Sequence, residues 1–410
     1  MEGDPKGGGH GLVSETGPVS AHTIDRDSWR QVGLLLVTGY SCGYILSFSN
    51  LMLVPLGWTW GIISLIMVAA FTAYSSWLLA GFHFVDGKRF IRYRDLMGSL
   101  FGQEMYYVTW VAQVLILLIT NMGFILLGGK ALKEINGDFG DTPMRLQYFI
   151  VITVLTFTYI IVLLAVVIKD GLKSNRVIDY ETRGNTASKI FNGFCAISAI
   201  VACNAAGIIP EIQSTLRMPA IKNMRKALHL QFSVGLAFYY GVSIAGYWAY
   251  GSSVSEYLPA ELSGPKWARI VINSVVFTQS IISQHAFIAP VHEALDTKFL
   301  KLDKGIHSRE NIKRLLFLRA SLFTVNTLVA AALPFMGDFV NLLGSFLLIP
   351  LTFLFPSMIF IKVKGEASKI EKLWHWGIIV VFSLLTIATT VAAVRLIVNN
   401  VAKYYLFADT

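Results

Sequence analysis

The sequence predicts an all-α integral membrane protein, and three observations predict it. Of 410 residues, 54 % are hydrophobic and only 14 % charged, against roughly 25 % charged in an ordinary soluble domain. Apolar runs of about twenty residues or more recur along the chain, each long enough to cross a bilayer's hydrocarbon core. Lys and Arg gather in the short connections between those runs, as they do in cytosolic loops. Backbone polar groups cannot stay unpaired in lipid, so the runs are expected to be helices; they are too long and too evenly apolar for barrel strands.

Ten candidate spans follow in order, at 31–55, 58–81, 105–130, 146–168, 190–213, 228–250, 268–290, 315–336, 338–361 and 373–396. Residues 1–28 are polar and Gly-rich (GDPKGGGHG) and hold no apolar stretch of signal-peptide type, so they read as a disordered cytosolic tail. A single transmembrane domain then covers 29–400, with a short tail at 401–410. The net charge of +9 would suggest nucleic acid in a soluble protein; spread over short membrane loops it does not, and no nucleic-acid partner is expected. Cys42, Cys195 and Cys203 all fall in apolar segments. Their odd number and spacing give neither a disulfide framework nor a metal site, so they read as packing residues. The clustered His, Asp and Cys or the H-E-x-x-H pattern that a membrane-embedded enzyme needs is missing from the sequence.

Orientation follows from the basic loops. Lys6, Arg26 and Arg30 in the tail, and Lys88, Arg89, Arg92 and Arg94 in GKRFIRYRD, belong in the cytosol with spans one and two as a hairpin between them. Arg217, Lys222, Arg225 and Lys226, then Lys298, Lys301, Lys304, Arg309, Lys313 and Arg314, then Lys362, Lys364, Lys369 and Lys372 mark three further loops, separated by pairs of spans. Ten full crossings would put these three outside. One crossing fewer or more between 131 and 189 returns them to the cytosol. The expectation is therefore that the second half keeps Lys222, Lys304 and Lys369 cytosolic. Residues 146–168 are enough for one span and too few for two, and are expected to lie re-entrant or against the bundle.

Two spans carry residues that weaken a helix. The first reads T-G-Y-S-C-G-Y from Thr38 to Tyr44, with Gly39 and Gly43 around Tyr40 and Ser41. That spacing fits a G-x-x-x-G packing face and equally a break lining a cavity. The second, AIVACNAAGIIPEIQ (199–213), holds Asn204, Gly207, Pro210 and Glu211. A carboxylate at membrane depth costs about 2.5–3.5 kcal/mol on the insertion scale, which marks it as functional by default; placed at the cytosolic mouth, Glu211 would instead pair with Arg217. Interrupted spans opening each of two halves are the pattern of inverted-repeat secondary transporters, so both breaks read as one substrate site. Asn121 lies mid-span, and Gln279, Ser280, Ser283 and His285 lie in FTQSIISQHAFIAP. Each could reach that site or serve helix packing. Asp338 in LPFMGDF reads as a cap in an external turn.

DSWRQVG (27–33), LVPLGW (53–58), IRYRDLMG (91–98), PEIQSTLRMP (210–219), KNMRKALHLQFSVG (222–235), GYWAYGSS (246–253), ALPFMGDF (332–339) and KLWHW…AAVRLI (372–397) resemble the plant proline-transporter branch of the amino acid/auxin permease family. The resemblance runs from about Asp27 to the C-terminus. It implies a leucine-transporter-type inverted repeat with two broken helices and usually eleven spans, against ten candidates here. It also implies a cytosolic N-terminus and proton-coupled uptake of proline, glycine betaine or γ-aminobutyrate at the plasma membrane. No cofactor is implied beyond the proton gradient. A zwitterion's carboxylate would meet backbone at Gly39–Gly43, and its cationic nitrogen the rings of Tyr40 or Tyr44. Glu211 is the first candidate proton carrier and His285 the second. Two departures stand out: the region 141–168 is short by roughly one membrane segment, and CNAAG (203–207) is poor in hydroxyls. A non-transporting interaction or regulatory form is the rival expectation, and a membrane-embedded enzyme a more distant one.

Overall fold

A computed structural model describes residues 24–37, 49–135, 148–173, 178–204, 207–301, 308–332, 341–342 and 344–401; of 126–135, 148–158, 285 and 286 it describes the backbone alone. Helix α1 (Trp29–Leu35) opens on a capping box: Gln31 N–H donates to the Ser28 hydroxyl and Ser28 N–H to the Gln31 side chain. After the first expected break, which lies outside the described residues, a π-helical stretch (Ser49–Leu53) runs into α2 (Val54–Gly81). Gly57 interrupts it at φ +67, ψ −174, a conformation that a β-carbon would strain. That is the hairpin expected between spans one and two.

The basic loop after α2 is structured. Strands β1 (Phe84–Val85) and β2 (Lys88–Arg89) pair antiparallel, and α3 (Tyr93–Phe101) buries Tyr93, Arg94, Leu96 and Met97. Then come α4 (Gln103–Ile135), α5 (Tyr148–Lys173), α6 (Thr186–Asn204) and α7 (Ile209–Ser214). Helices α8 (Ala220–Leu230) and α9 (Leu236–Tyr250) form one span through a π-helical turn at Gln231–Gly235. They are followed by α10 (Lys266–Phe299), α11 (Arg309–Ala332), two π-helical stretches (Gly344–Leu348, Pro350–Leu354) leading into α12 (Phe355–Val363), and α13 (Lys369–Asn400). Seven helices among the described residues are long and apolar enough to cross a membrane.

The core brings Leu65 of α2, Tyr159 and Leu163 of α5, Ile200 of α6, Tyr239 and Tyr247 of α9, Ile272 of α10 and Phe353 together. A second cluster joins Val32, Leu79, Tyr93, Met97, Ile209, Leu216, Met224 and Ile359. Around it lie the basic loops. Asp27 pairs with Leu216, the Arg225 guanidinium stacks over Trp77 at 4.7 Å, Arg92 bonds Glu293 near the end of α10, and His375 at the start of α13 meets Tyr74 at 3.1 Å. The N-terminal segment and the described parts of all three later basic loops therefore share one end.

Helix α5 departs from the expectation for 146–168. Its 26 residues make one continuous rod of about 39 Å, in the core rather than re-entrant or on its flank. Tyr159 and Leu163 are fully buried, because α9 and α10 both offer apolar faces to it. At the far end, Asp170 accepts hydrogen bonds from the Tyr250 hydroxyl (3.0 Å) and from Ser263 N–H (2.9 Å). Helix α4 leaves the basic end, where Gly98 of α3 packs against Tyr106, while α5 finishes at the opposite end. The two run the same way, which fits the charge count's requirement of one crossing fewer or more between 131 and 189.

Candidate functional site

The second expected break is present. Helix α6 stops at Asn204 and α7 begins at Ile209, with Pro210 in its first turn. Proline lacks the N–H that would bond four residues back and its ring crowds that carbonyl, so it suits a first turn and blocks a helix running through. Asn204, the last residue of α6, is held by side-chain hydrogen bonds. The Asn204 amide donates to Ile200 O at 2.8 Å, and the Tyr239 hydroxyl donates to Asn204 Oδ1 at 2.5 Å. Asn204 also reaches the Tyr240 hydroxyl at 3.4 Å, which itself donates to Leu65 O at 2.9 Å. The end of α6 is thus pinned to α9 and α2.

On the other side of the break, Gln113 of α4 donates from one amide nitrogen to Gly207 O at 2.6 Å and to Glu211 Oε1 at 3.0 Å. Tyr93 N–H donates to the same carboxylate oxygen at 2.9 Å. Glu211 Oε2 is buried without a hydrogen-bond partner. The Tyr93 hydroxyl bonds Leu351 O at 2.9 Å, and the Leu351 side chain packs against Gly207. Gly207, Gln113, Glu211, Tyr93 and Leu351 therefore close a ring beneath the break.

Among the sequence-predicted residues, Gly207 and Glu211 meet through Gln113, while Asn204 is bound instead to Tyr239 and Tyr240. Thr38, Gly39, Tyr40, Ser41, Gly43, Tyr44 and Asp338 lie outside the described residues, as does the side chain of His285. Arg217 is not the partner of Glu211; its guanidinium donates to Arg26 O at 2.8 Å. Asn121 lines a cavity of about 460 Å³ between α4, α10 and α11, with Gln284, His292, Arg319 and Asn326; neither Asn204 nor Gly207 lines it. Gln279, Ser280 and Ser283 are buried on α10, and the Ser280 hydroxyl is used on Val276 O of its own helix. Sequence reasoning passed over Gln113, Tyr93, Tyr239 and Tyr240. Gln113 carried a usable signal: an uncharged polar side chain within an apolar run needs a partner.

Ion pairs hold the basic end around this ring. Arg89 binds Asp25 through both guanidinium nitrogens at 2.8 Å and accepts the role of donor to His83 Nε2 at 2.9 Å. Burial, and then the Arg89 charge, push the His83 imidazole down to about 4. Arg92 and Arg94 both face Glu293 of α10.

Comparison with known proteins places the chain. The family described as "Transmembrane amino acid transporter protein" matches residues 25–159 and 153–396. The two matches overlap within α5. The chain is 30 % identical to GABA transporter 1 of Arabidopsis thaliana, over 91 % of this chain and 93 % of the relative. It is 24 % identical to Lysine histidine transporter-like 3 of Arabidopsis thaliana, over 84 % and 83 %. The crystal structure of MhsT in complex with L-phenylalanine superposes with a TM-score of 0.55 at 14 % identity, covering 90 % of this chain and 100 % of that one. That likeness shows the leucine-transporter-type fold. These relatives are transporters, not enzymes, and the chain belongs to the transmembrane amino acid transporter family.

Proposed function

We propose that this chain is a proton-coupled symporter of proline and related small zwitterions, working at the plasma membrane with its N-terminus in the cytosol. One observation carries the reading: the broken helix places a buried carboxylate, Glu211, one hydrogen-bonded step from the backbone carbonyl of the break. Freed backbone groups at a helix break suit a zwitterion. The substrate carboxylate would meet the first break at Gly39–Gly43, and its nitrogen the rings of Tyr40 or Tyr44. A proton entering from outside would settle on Glu211 Oε2, neutralising a charge that is costly to bury and biasing the inward–outward equilibrium; His285 is the second candidate. The basic end is assigned to the cytosol by its Lys and Arg loops.

A second reading makes γ-aminobutyrate the main substrate. It is favoured by the name of the relative at 30 % identity. A third, a non-transporting form, is favoured by the same-way run of α4 and α5. Uptake of radiolabelled proline, γ-aminobutyrate and glycine betaine into transport-deficient cells separates them. The symport reading expects proline uptake that rises with external acidity and falls when a protonophore collapses the gradient. Uptake confined to γ-aminobutyrate supports the second reading. No uptake of any of the three, with the protein at the cell surface, supports the third.

A further inference from the structure

We infer that Gln113 is the positioning residue that carries the protonation state of Glu211 to the substrate site; this rests on the proton-coupled reading above. A primary amide has two N–H groups on one nitrogen. Here one is given to Gly207 O and the other to Glu211 Oε1, at 2.6 and 3.0 Å. Gln113 is 95 % buried, so water does not compete freely for either bond. Its two partners differ in kind. Gly207 O belongs to the unwound segment, and Glu211 changes charge when it takes a proton.

A hydrogen bond to an ionised carboxylate is roughly twice as strong as one between neutral groups. With Glu211 ionised, Gln113 is held toward α7 and shares its remaining hydrogen with Gly207 O. With Glu211 protonated, that pull weakens, and the amide turns toward Gly207 O. The carbonyl then has a firmer internal partner, which holds the unwound segment in one conformation ready for the substrate and lowers KM in acid. Backbone movement at Gly207 also presses on Leu351, whose carbonyl is tied through the Tyr93 hydroxyl to the residue whose N–H holds Glu211. The ring is closed, so a change at Glu211 reaches Gly207 from both sides.

The charged and titratable groups facing Glu211 come from α3. They are Tyr93, which donates its N–H, and Arg94, whose charge acts on the carboxylate. Arg94 is also turned toward Glu293 of α10 at 3.5 Å, and Glu293 is held by Arg92. From α4 comes only the neutral amide of Gln113, and from the stretch before α12 the neutral Leu351. Neither route from α4 or α12 to Gly207 carries a charge of its own, which leaves Gln113 as the direct link.

The test is the ratio of uptake KM at pH 7.5 to that at pH 5.5, for radiolabelled proline and γ-aminobutyrate, in proteoliposomes containing the full-length protein. Wild type, Gln113→Leu, Glu211→Gln and the double variant are compared. Gln113→Asn, one methylene too short to reach both partners, stands in if Gln113→Leu fails to fold. The expected result is a wild-type ratio well above one that collapses to about one in either single variant, with no further change in the double variant. A wild-type ratio retained in Gln113→Leu or Gln113→Asn, while Glu211→Gln abolishes it, overturns this inference alone. A wild-type ratio of one, or a ratio unchanged by Glu211→Gln, overturns the Glu211 reading and this inference with it.

Discussion

Asp27 and Leu216 lie side by side in a parallel bridge, with Asp27 N–H donating to Thr215 O at 2.8 Å and Arg217 N–H donating to Asp27 O at 3.0 Å. The segment that enters the first span is therefore fastened to the segment that leaves the second broken helix. Both halves of the protein present their basic loops at this end, whatever path joins α4 to α5.

The first prediction concerns that shared end. In a background without Cys42, Cys195 and Cys203, cysteines at Lys222 and Lys369 are expected to resist an impermeant thiol reagent in intact cells and to label after permeabilisation. A cysteine at the exposed Glu256, beyond the opposite end of α9, is expected to label in intact cells. Labelling of 222 or 369 from outside would mean an inverted second half. Lys304, which the sequence places in the same group, lies outside the described residues.

Tyr239→Phe removes the hydroxyl that donates to Asn204 Oδ1. The amide oxygen is left buried without its partner, which costs about 1–3 kcal/mol. A lower melting temperature and a raised substrate KM are expected together, because the same bond pins the end of α6. Tyr240→Phe is expected to raise KM less, since its contact with Asn204 is long at 3.4 Å. Equal effects from the two would show that Asn204 is not held as described.

A β-carbon on Gly246 would stand 2.3 Å from Ser49 Oγ. That oxygen donates to Ser243 O at 2.9 Å, so Gly246→Ala must displace it or push the Ser49–Leu53 stretch off α9. The expected loss is roughly 1–3 kcal/mol of stability, read as a lower melting temperature in detergent. Ser49→Ala in the same chain is expected to recover part of it. No recovery would place the strain elsewhere.

The contact among Asp25, Arg89 and His83 is expected to weaken in acid, because His83 is held neutral. Its folded value of about 4 lies below the roughly 6.5 of an unfolded histidine. Between those values the unfolded chain binds more protons, so stability falls as pH drops from about 6.5 toward 4. His83→Gln is expected to flatten melting temperature against pH in that window. An unchanged slope would mean that other groups set the acid response.

How far the sequence went depends on the range of the interactions. The apolar runs and the break at Asn204–Pro210 were legible because each is written locally, in composition or in a residue that cannot continue a helix. The basic loops pointed to an irregular crossing between 131 and 189 for the same reason. Gln113 showed in the sequence as a polar residue in need of a partner, but its partners, 94 and 98 residues downstream, did not. Residues 146–168 were expected to lie re-entrant or on the flank because they are too few for two spans. Their place in the core depended on faces that α9 and α10 contribute from far downstream. Tyr239 and Tyr240 drew no notice in the sequence, because their tie to Asn204 joins residues 35 and 36 apart.

The most direct measurement is proton movement itself. Protein reconstituted into vesicles containing a pH-sensitive dye, with no imposed gradient, is given proline outside. Proton-coupled symport predicts acidification of the lumen that follows proline uptake, is abolished by a protonophore, and is strongly reduced in Glu211→Gln. Proline uptake with no accompanying change in lumenal pH would contradict it.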